Sequence, residues 1–480
     1  MDLQRHYAPV SKALLALFLP ATGCYHYRPQ AILPPALEQQ YRTRSLADPG
    51  LKDFVNAQPI EKPASWPPTE LSLETLTAVA FYFHPDLDTA RARLATSSGG
   101  VITASTRPNP SISAGAGYTD AEGKPYALAF ALDWPIETAR KRNYRTQVAQ
   151  NVAEVARISL GETAWQVRSR VRAALLDHLL ALRDLETLQQ EERTRREAVD
   201  VFEKRLALGD VSRPDVDVAR TSLMLVQLSI ERASGSMKET RVALEGALGL
   251  APAALQTVAL TWRSLENPPT EESLALPTVQ RAGLLNRLDV QRLLVEYASS
   301  ERALQLEAAK QYPDVHIAPG YSFGEGSINT YTIGPSLLLP LFDRNKGPIA
   351  EAEGRRKEAA ARFLGQQAKA IDEMERALAL YRSAVAEFRD ADSRLRTLLN
   401  DRVRAVQRQI DAGDADRLTL VGVRLEEAAA ARARLSALRA AQNALGALED
   451  AVQRPLESGI PLPPIPVINP RERASGGVIQ

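Results

Sequence analysis

The chain has 480 residues, of which 45% are hydrophobic, so it has enough apolar material for two or three domains with buried cores. Its 59 Lys and Arg residues nearly balance its 58 Asp and Glu residues, so no excess of positive charge indicates a nucleic-acid partner. The single cysteine, Cys24, excludes an internal disulfide framework and any metal site built from several cysteines.

The first 23 residues have the pattern of a secretory signal peptide. Arg5 and Lys12 precede a short apolar run at 13–19, which is too short to cross a bilayer as a helix. The small residues directly before Cys24 resemble the lipobox of bacterial lipoproteins, which implies that this cysteine becomes a lipidated N-terminus. The alternative is an ordinary signal peptide with an incidental cysteine. By analogy with lipoproteins, Tyr25 in place of an acidic residue favours the outer membrane as the destination.

Residues 24–70 are rich in proline and are predicted to form an extended arm. A helical segment follows over about 71–106, interrupted near Gly99 and Gly100, and it ends before Pro108. Beyond the signal peptide no stretch of eighteen apolar residues occurs, so no transmembrane helix is predicted.

The segment from Pro110 to Pro135 holds two runs in which large apolar residues occupy every second position. This alternation gives each strand two unlike faces, and the other face here is small or polar. A bulky face backed by a small, polar one is typical of a membrane barrel with lipid outside and water inside. The strands are predicted at about 111–118 and 126–134. Their predicted lipid-facing residues are Ile112, Tyr118, Tyr126, Leu128, Phe130, Leu132 and Trp134.

A long helix at about 143–206, a turn at Gly209 and a second helix at about 214–248 come next. The same succession of elements then starts again. Gly209 and Gly413 lie 204 residues apart, and the other landmarks recur at nearly the same offset. Internal repeats of this kind indicate a tandem duplication. We therefore divide the chain into a first repeat at 71–270 and a second repeat at 271–454.

The second repeat is predicted to contain a helix, strands at about 314–323 and 331–339, a long helix at about 349–410, a tip turn and a helix at about 416–452. A proline-rich tail follows at 455–480. The predicted lipid-facing residues of its strands are Val315, Ile317, Tyr321, Phe323, Tyr331, Ile333, Leu337 and Leu339. Its long helix has a coiled-coil period, which predicts packing against other long helices through Ile371, Met374, Leu378, Tyr381, Val385 and Phe388.

Four spanning strands cannot close a barrel, and every unpaired backbone group at a sheet edge costs several kcal/mol in lipid. Several chains must therefore pool their strands. Two chains would give eight strands and a filled interior, whereas three would give twelve strands and a lumen. The two ends of each hairpin leave the membrane on the same side, so the long helices project to that side. The predicted fold class is a mixed α+β membrane protein with a shared β-barrel continued by a helical barrel.

The duplicated plan resembles the outer-membrane factor (TolC-type) family over about residues 71–452. The resemblance rests on the PNP before the first strand and on the turn RLALGDVSRPDVDVAR with its second copy QIDAGDADRLTLVGVR. It implies a homotrimer with a twelve-stranded barrel in outer-membrane lipid and a periplasmic α-helical barrel. It also implies an exit duct for an inner-membrane pump, joined through a periplasmic adaptor, the membrane fusion protein.

In that family the glycine turn is the periplasmic tip, where the adaptor docks and the channel closes. The second copy has Thr419 in place of Asp215, and Gly422 where some members carry an aperture aspartate, so no carboxylate gate is assigned. The alternative is that the glycines only cap helices and that the nearby charges are solvated. The residues implied at the tip are Gly209, Asp210, Arg213, Asp215, Gly413, Asp414, Asp416 and Arg417.

The run Trp134–Thr138 and the basic residues after it resemble the subgroup that serves heavy-metal cation pumps of the RND type. The basic residues are Arg140, Lys141, Arg142 and Arg145. The alternative is that these charges anchor the strand end at the periplasmic interface. The five histidines have no spacing that builds a metal site, and His316 is expected to face the lumen.

The sequence contains no phosphate-binding glycine loop, no GxSxG and no HExxH, so no enzyme and no cofactor other than the lipid is predicted. The leading hypothesis is the outer-membrane channel of a tripartite RND-type efflux system, a passive trimeric duct for heavy-metal cations. Within the duct hypothesis the alternatives are drug or solvent efflux and type I protein secretion. A different class is a lipid-anchored periplasmic coiled-coil scaffold without a pore, which would have no need for two-faced strands.

Overall fold

The computed structural model describes residues 27–118, 126–270, 274, 283, 286–324 and 328–456. The predicted signal peptide, Cys24 and all but the first two residues of the predicted tail lie outside the described residues. The chain divides into two compact units, the first ending at Arg44 and the second beginning at Ser45.

The predicted arm contains two short helices. Helix α1, Pro34–Arg42, belongs to the first unit and is exposed throughout. Helix α2, Pro49–Ala57, opens the second unit, and the Asp48 side chain caps it by accepting backbone N–H groups. Proline suits the first turn of a helix, where its missing N–H has no partner to lose. The prediction of an extended arm over 24–70 is therefore wrong at these two segments.

Helices α3 and α4 cover Leu73–Phe83 and Pro85–Ser105. The break between them lies at Pro85, which cannot donate the backbone hydrogen bond that a continuous helix needs and clashes with the preceding turn. Gly99 and Gly100 lie within the uninterrupted α4, so the predicted interruption there is wrong. A helical glycine costs only about 1 kcal/mol relative to alanine, which is not enough to end a helix.

In the described part of the chain the strands form two separate sheets. Strands β1 and β4 make a small parallel pair, and the other six form an antiparallel sheet. In chain order the strands are β1 Glu70–Leu71, β2 Ser111–Tyr118, β3 Tyr126–Ile136, β4 Ala259–Leu260, β5 Val315–Ile317, β6 Gly320–Gly324, β7 Ile328–Thr332 and β8 Pro335–Leu337.

Long helices make up most of the remaining chain. Helix α5 alone has 68 residues and is about 100 Å long. Within the described residues no helix combines the length and the apolar character of a membrane span. The helices are α5 Lys141–Leu208, α6 Arg213–Leu248, α7 Leu288–Ala309, α8 Lys346–Arg389, a π-helical segment Asp390–Leu395, α9 Arg396–Ala412 and α10 Arg417–Val452.

The larger sheet brings the two repeats together. Strand β3 pairs with β2 on one side and with both β5 and β6 on the other; β6 then pairs with β7, and β5 with β8. Each predicted strand of the second repeat is thus split in two, at Pro319 and at Gly334. Proline has no N–H to donate to a ladder, which accounts for the first break. Ile333 and Leu339 lie outside the strands, which corrects their predicted place in the sheet.

Among the described residues, two large apolar cores hold most of the helices, and two smaller ones lie between α5 and α6 and between α9 and α10. One large core joins α2 and α3 to α5 and the end of α6, and the second joins α5, α8 and α10. The predicted coiled-coil positions Met374, Leu378, Tyr381, Val385 and Phe388 are buried in the second core. Ile371 is 45% exposed and lies outside this core, so the packing begins at Met374, one turn later along the helix than the sequence period predicts.

Candidate channel wall and helical tip

The cross-strand register places the predicted lipid-facing residues on one face of the sheet. Phe130 lies opposite Tyr321, which lies opposite Tyr331 on the next strand. Residues directly opposite in an antiparallel ladder point to the same side. The same face also carries the pairs Ile112 with Leu132, Tyr118 with Tyr126, Leu128 with Phe323, Trp134 with Ile317, and Val315 with Leu337. The result is a continuous apolar face, with Tyr118, Tyr126 and Tyr331 among its most exposed residues.

The opposite face is built from small and polar residues. Its cross-strand pairs are Ser111 with Asp133, Gly115 with Ala129, Ser322 with Thr330, and Gly320 with Thr332. Short side chains leave room next to the backbone, and the hydroxyls can bind water. The sheet therefore has one side suited to lipid and one side suited to a water-filled passage.

His316 and Asp133 meet on the small, polar face. The Nδ1 atom of His316 lies 3.0 Å from Oδ1 and 3.1 Å from Oδ2 of Asp133. The two side chains are 41% and 46% exposed, so water reaches both. This contact joins β3 of the first repeat to β5 of the second.

The basic residues after β3 form structural contacts at the strand end. Lys141 is 8% exposed, and its Nζ donates to Asp314 at 2.8 Å. The backbone N–H of Thr138 donates to the same carboxylate at 2.9 Å. Arg145 pairs with Glu137 and donates to a backbone carbonyl of α4. These contacts favour the anchoring interpretation for Lys141 and Arg145.

Both predicted tip glycines end long helices in the left-handed conformation. Gly209 and Gly413 each have φ +81°, a region in which any side chain is strained. The N–H of Asp210 donates to the carbonyl of Arg205 at 2.9 Å, and that of Asp414 donates to the carbonyl of Gln409 at 2.8 Å. These bonds satisfy helix-end carbonyls that would otherwise be unpaired. Both turns are exposed at the end of the helical hairpins.

The two copies start their second helices with different caps. In the first, Ser212 and Asp215 form a reciprocal capping box. In the second, the Asp416 side chain accepts from the N–H of Thr419 at 2.8 Å. Hydrogen bonds from Ser212 lower the pKa of Asp215, and those from Thr419 lower the pKa of Asp416. Both carboxylates are therefore charged at neutral pH, and their stabilising effect is lost only as the pH falls below the ordinary range of an aspartate.

Two ion pairs join the helical hairpins of the two repeats near the tip. Arg205 Nη2 lies 2.6 Å from Asp416 Oδ2, and Arg424 Nη1 lies 3.0 Å from Glu197 Oε2. Arg220 occupies the position of Arg424 in the first repeat, but it pairs with Glu203 of its own repeat at 2.6 Å. The 204-residue offset relates the two arginines without indicating their partners. Sequence analysis missed Arg205 and Glu197 for this reason. Arg213 and Arg417 begin α6 and α10 and are exposed.

Across the described part of the chain no group of three or more His, Cys, Asp or Glu side chains could hold a metal. His84 and His178 are buried. The Nδ1 of His84 accepts from the N–H of Asp86, and the Nδ1 of His178 lies 3.2 Å from the hydroxyl of Thr240. Burial is the main cause that lowers the pKa of both. These two histidines are packed neutral side chains.

Both repeats thus have two-faced strands in a hairpin, continued by a helical hairpin about 100 Å long. Residues 82–250 match the family described as outer membrane efflux protein. Over 298 residues the chain is 24% identical to the cobalt-zinc-cadmium resistance protein CzcC of Cupriavidus metallidurans, which corresponds to 62% of this chain and 69% of that protein.

Solved structures agree with this fold. A structure of CusC has a TM-score of 0.65 at 16% identity and covers 82% of this chain and 95% of its own. The outer membrane protein VceC of Vibrio cholerae has a TM-score of 0.60 at 19% identity and covers 79% and 95%. These comparisons agree with the predicted resemblance to the outer-membrane factor (TolC-type) family, and the solved structures share the fold of this chain.

Proposed function

We propose that this chain is one subunit of a homotrimeric duct that carries solutes passively across the periplasm and the outer membrane. The observation that carries the proposal is the sheet with one apolar face and two unpaired edges, β2 on one side and β7 and β8 on the other. Such edges cannot remain open in hydrocarbon. Three copies would supply twelve strands, enough to close a barrel around a lumen.

Exposed apolar residues on the helices favour the same assembly. Val218, Leu225 and Leu228 of α6 are exposed in the single chain and recur at helical spacing. A second copy packed beside α6 would remove this surface from water. A continuous helical wall below the barrel would follow.

We further propose that the tip binds a periplasmic adaptor, which links the duct to an inner-membrane pump in an RND-type tripartite system. The support is the exposed position of both turns together with the match of residues 82–250 to the outer membrane efflux protein family. The residues proposed for this contact are Gly209, Asp210, Arg213, Asp215, Gly413, Asp414, Asp416 and Arg417. The alternative is that these residues only cap helices.

For the substrate we propose heavy-metal cations. The support is the similarity to CzcC, whose name describes cobalt, zinc and cadmium resistance. Drug or solvent efflux and type I secretion are the alternatives, because a wide lumen selects by size and charge and not by a fitted pocket.

Purified protein in a planar bilayer containing KCl is expected to form cation-conducting pores that open further when the tip pairs between repeats are removed. Arg424→Ala removes the pair with Glu197, and Arg205→Ala removes the pair with Asp416. An exposed pair contributes roughly 0.2–1 kcal/mol, so the loss of one pair in each of three copies would shift the ratio of open to closed channels by about 3-fold to 150-fold.

The matched control is Arg220→Ala, which removes the equivalent pair within one repeat and is expected to leave the conductance unchanged. A protein that forms no pores, with or without these substitutions, would contradict the duct and favour the periplasmic scaffold. An equal increase with Arg220→Ala would show that the pairs between repeats do not hold the tip.

We propose that Cys24 carries an N-terminal lipid that anchors the chain to the outer membrane. The support is the order of residues 1–24, since Cys24 lies outside the described residues. Cys24→Ser is expected to abolish labelling by an alkyne fatty acid in growing cells. Undiminished label on the variant would reject the anchor.

A further inference from the structure

His316 has a position and a partner that its role in the sheet does not require. It lies on β5, directly opposite Pro135 of β3 and Ser336 of β8. Asp133 lies two residues from Pro135 on the same face, so its contact with His316 is diagonal across the two strands. The side chain of His316 thus lies on the small, polar face that lines the passage of the proposed duct.

The contact fixes which nitrogen of the imidazole is available. An ionised carboxylate only accepts hydrogen bonds, so Nδ1 of His316 must carry the proton that it donates to Asp133. The neutral ring then has its lone pair on Nε2, and among the described residues no hydrogen-bond partner of Nε2 is found. Ring nitrogens that ligate zinc usually have this kind of support, with a carboxylate bound to the other nitrogen.

Neighbouring groups cannot complete a tight site. Asp314 lies two residues before His316, but Lys141 and Thr138 already donate to its carboxylate. The residues directly opposite His316 offer a hydroxyl, on Ser336, and a proline ring. Each chain therefore provides one oriented imidazole, which can bind a cation weakly and release it.

We propose that His316, oriented by Asp133, is a transit ligand for divalent transition-metal cations on the wall of the duct. The inference rests on the proposed function, because it requires the polar face to line a passage. Imidazole nitrogen is a preferred ligand of zinc, whereas magnesium prefers oxygen. Each subunit contributes its own weak site, and weak binding is what conduction requires.

The test uses the full-length protein purified in detergent, first by equilibrium binding of zinc and then in bilayers. The wild type is expected to bind one zinc ion per chain that His316→Gln does not bind. Asp133→Ala is expected to weaken this zinc binding about 10-fold to 100-fold, the usual effect of removing the group behind a ligating histidine. Asp133→Asn is expected to lose less, because the amide oxygen still accepts from Nδ1. Ser336→Ala is the matched control and is expected to bind zinc as the wild type does.

In KCl bilayers, added zinc is expected to reduce the potassium current through the wild type and not through His316→Gln, while magnesium acts equally on both. If the wild type and His316→Gln both form potassium-conducting pores and zinc reduces their currents equally, the inference about His316 is wrong, while the proposed duct function still stands. Zinc binding through His316 in a protein that forms no pores would instead refute the duct and with it the role in transit. Unchanged zinc affinity in Asp133→Ala would overturn the orienting role of Asp133.

Discussion

Glu449→Gln is expected to lower the free energy of unfolding by about 3–5 kcal/mol, the usual effect of breaking a buried ion pair by removing one partner. Glu449 is fully buried, and its carboxylate accepts from Arg168 Nη1 at 2.8 Å. Arg172 Nε lies 3.4 Å from the same oxygen. Arg168 is 6% exposed, so the variant would leave its guanidinium group buried without the Glu449 carboxylate.

This carboxylate lies where the two repeats meet. Arg168 and Arg172 belong to α5, and Glu449 belongs to α10. Arg172 also donates to the backbone carbonyl and the side-chain oxygen of Gln442, at 2.9 Å each. The second carboxylate oxygen accepts from the N–H of Leu456 at 2.7 Å. Removing the Glu449 carboxylate is therefore expected to weaken contacts of α5, of α10 and of the segment after α10.

The measurement is the temperature at which the far-ultraviolet circular dichroism of the protein in detergent loses its helical signal. Glu154→Gln is the control, because it removes an exposed ion pair between Glu154 and Arg157, which both lie on α5. The control is expected to cost less than about 1 kcal/mol. If both variants lower the free energy of unfolding equally, the buried pair of Glu449 stabilises the protein no more than an exposed pair does.

Gly249→Ala is expected to destabilise the chain by about 2–5 kcal/mol, for two separate reasons. Gly249 ends α6 with φ +73°, where an L-residue is strained. A Cβ atom there would lie 2.8 Å from the carbonyl oxygen and 3.0 Å from the carbonyl carbon of Phe83, and backbone atoms cannot move aside as a side chain can. The end of α6 would have to move away from the junction of α3 and α4.

Gly209→Ala separates the two effects. Gly209 has φ +81°, but an added Cβ would have no neighbour within 4 Å. It is expected to cost only the strain of the left-handed conformation, about 1–2 kcal/mol. Thermal unfolding in detergent, together with the rate of trypsin cleavage, would compare the variants. If Gly249→Ala and Gly209→Ala lower the free energy of unfolding equally, the close approach of residue 249 to Phe83 does not add to the destabilisation.

The general plan of the fold could be predicted from the sequence because it repeats. A residue period of two reveals the two faces of a strand without any knowledge of its neighbours, so the apolar face was predictable. Proline was harder to interpret. Pro34 and Pro49 begin helices, Pro85 separates two, and Pro319 splits a strand. The sequence alone shows that a helix or strand cannot continue regularly through each of these prolines. It does not show whether an element begins there, ends there or is split.

The contacts at the candidate sites could not be predicted, since they depend on register and packing. His316 and Asp133 are 183 residues apart and meet only because β3 pairs with β5. The partners of Arg220 and Arg424 differ although a single offset relates the two arginines. Duplication predicts equivalent positions, but the packing of α5 against α10 decides which charges meet.

The π-helical segment Asp390–Leu395 has a consequence for symmetry. It interrupts the second long helix, whereas α5 continues unbroken over 68 residues. A π turn holds an extra residue, which rotates everything beyond it by roughly 100°, the angle of one residue in an α-helix. The long helices of the two hairpins therefore follow different courses. A proposed homotrimer with six hairpins would therefore have threefold and not sixfold symmetry, with two kinds of hairpin alternating around its axis.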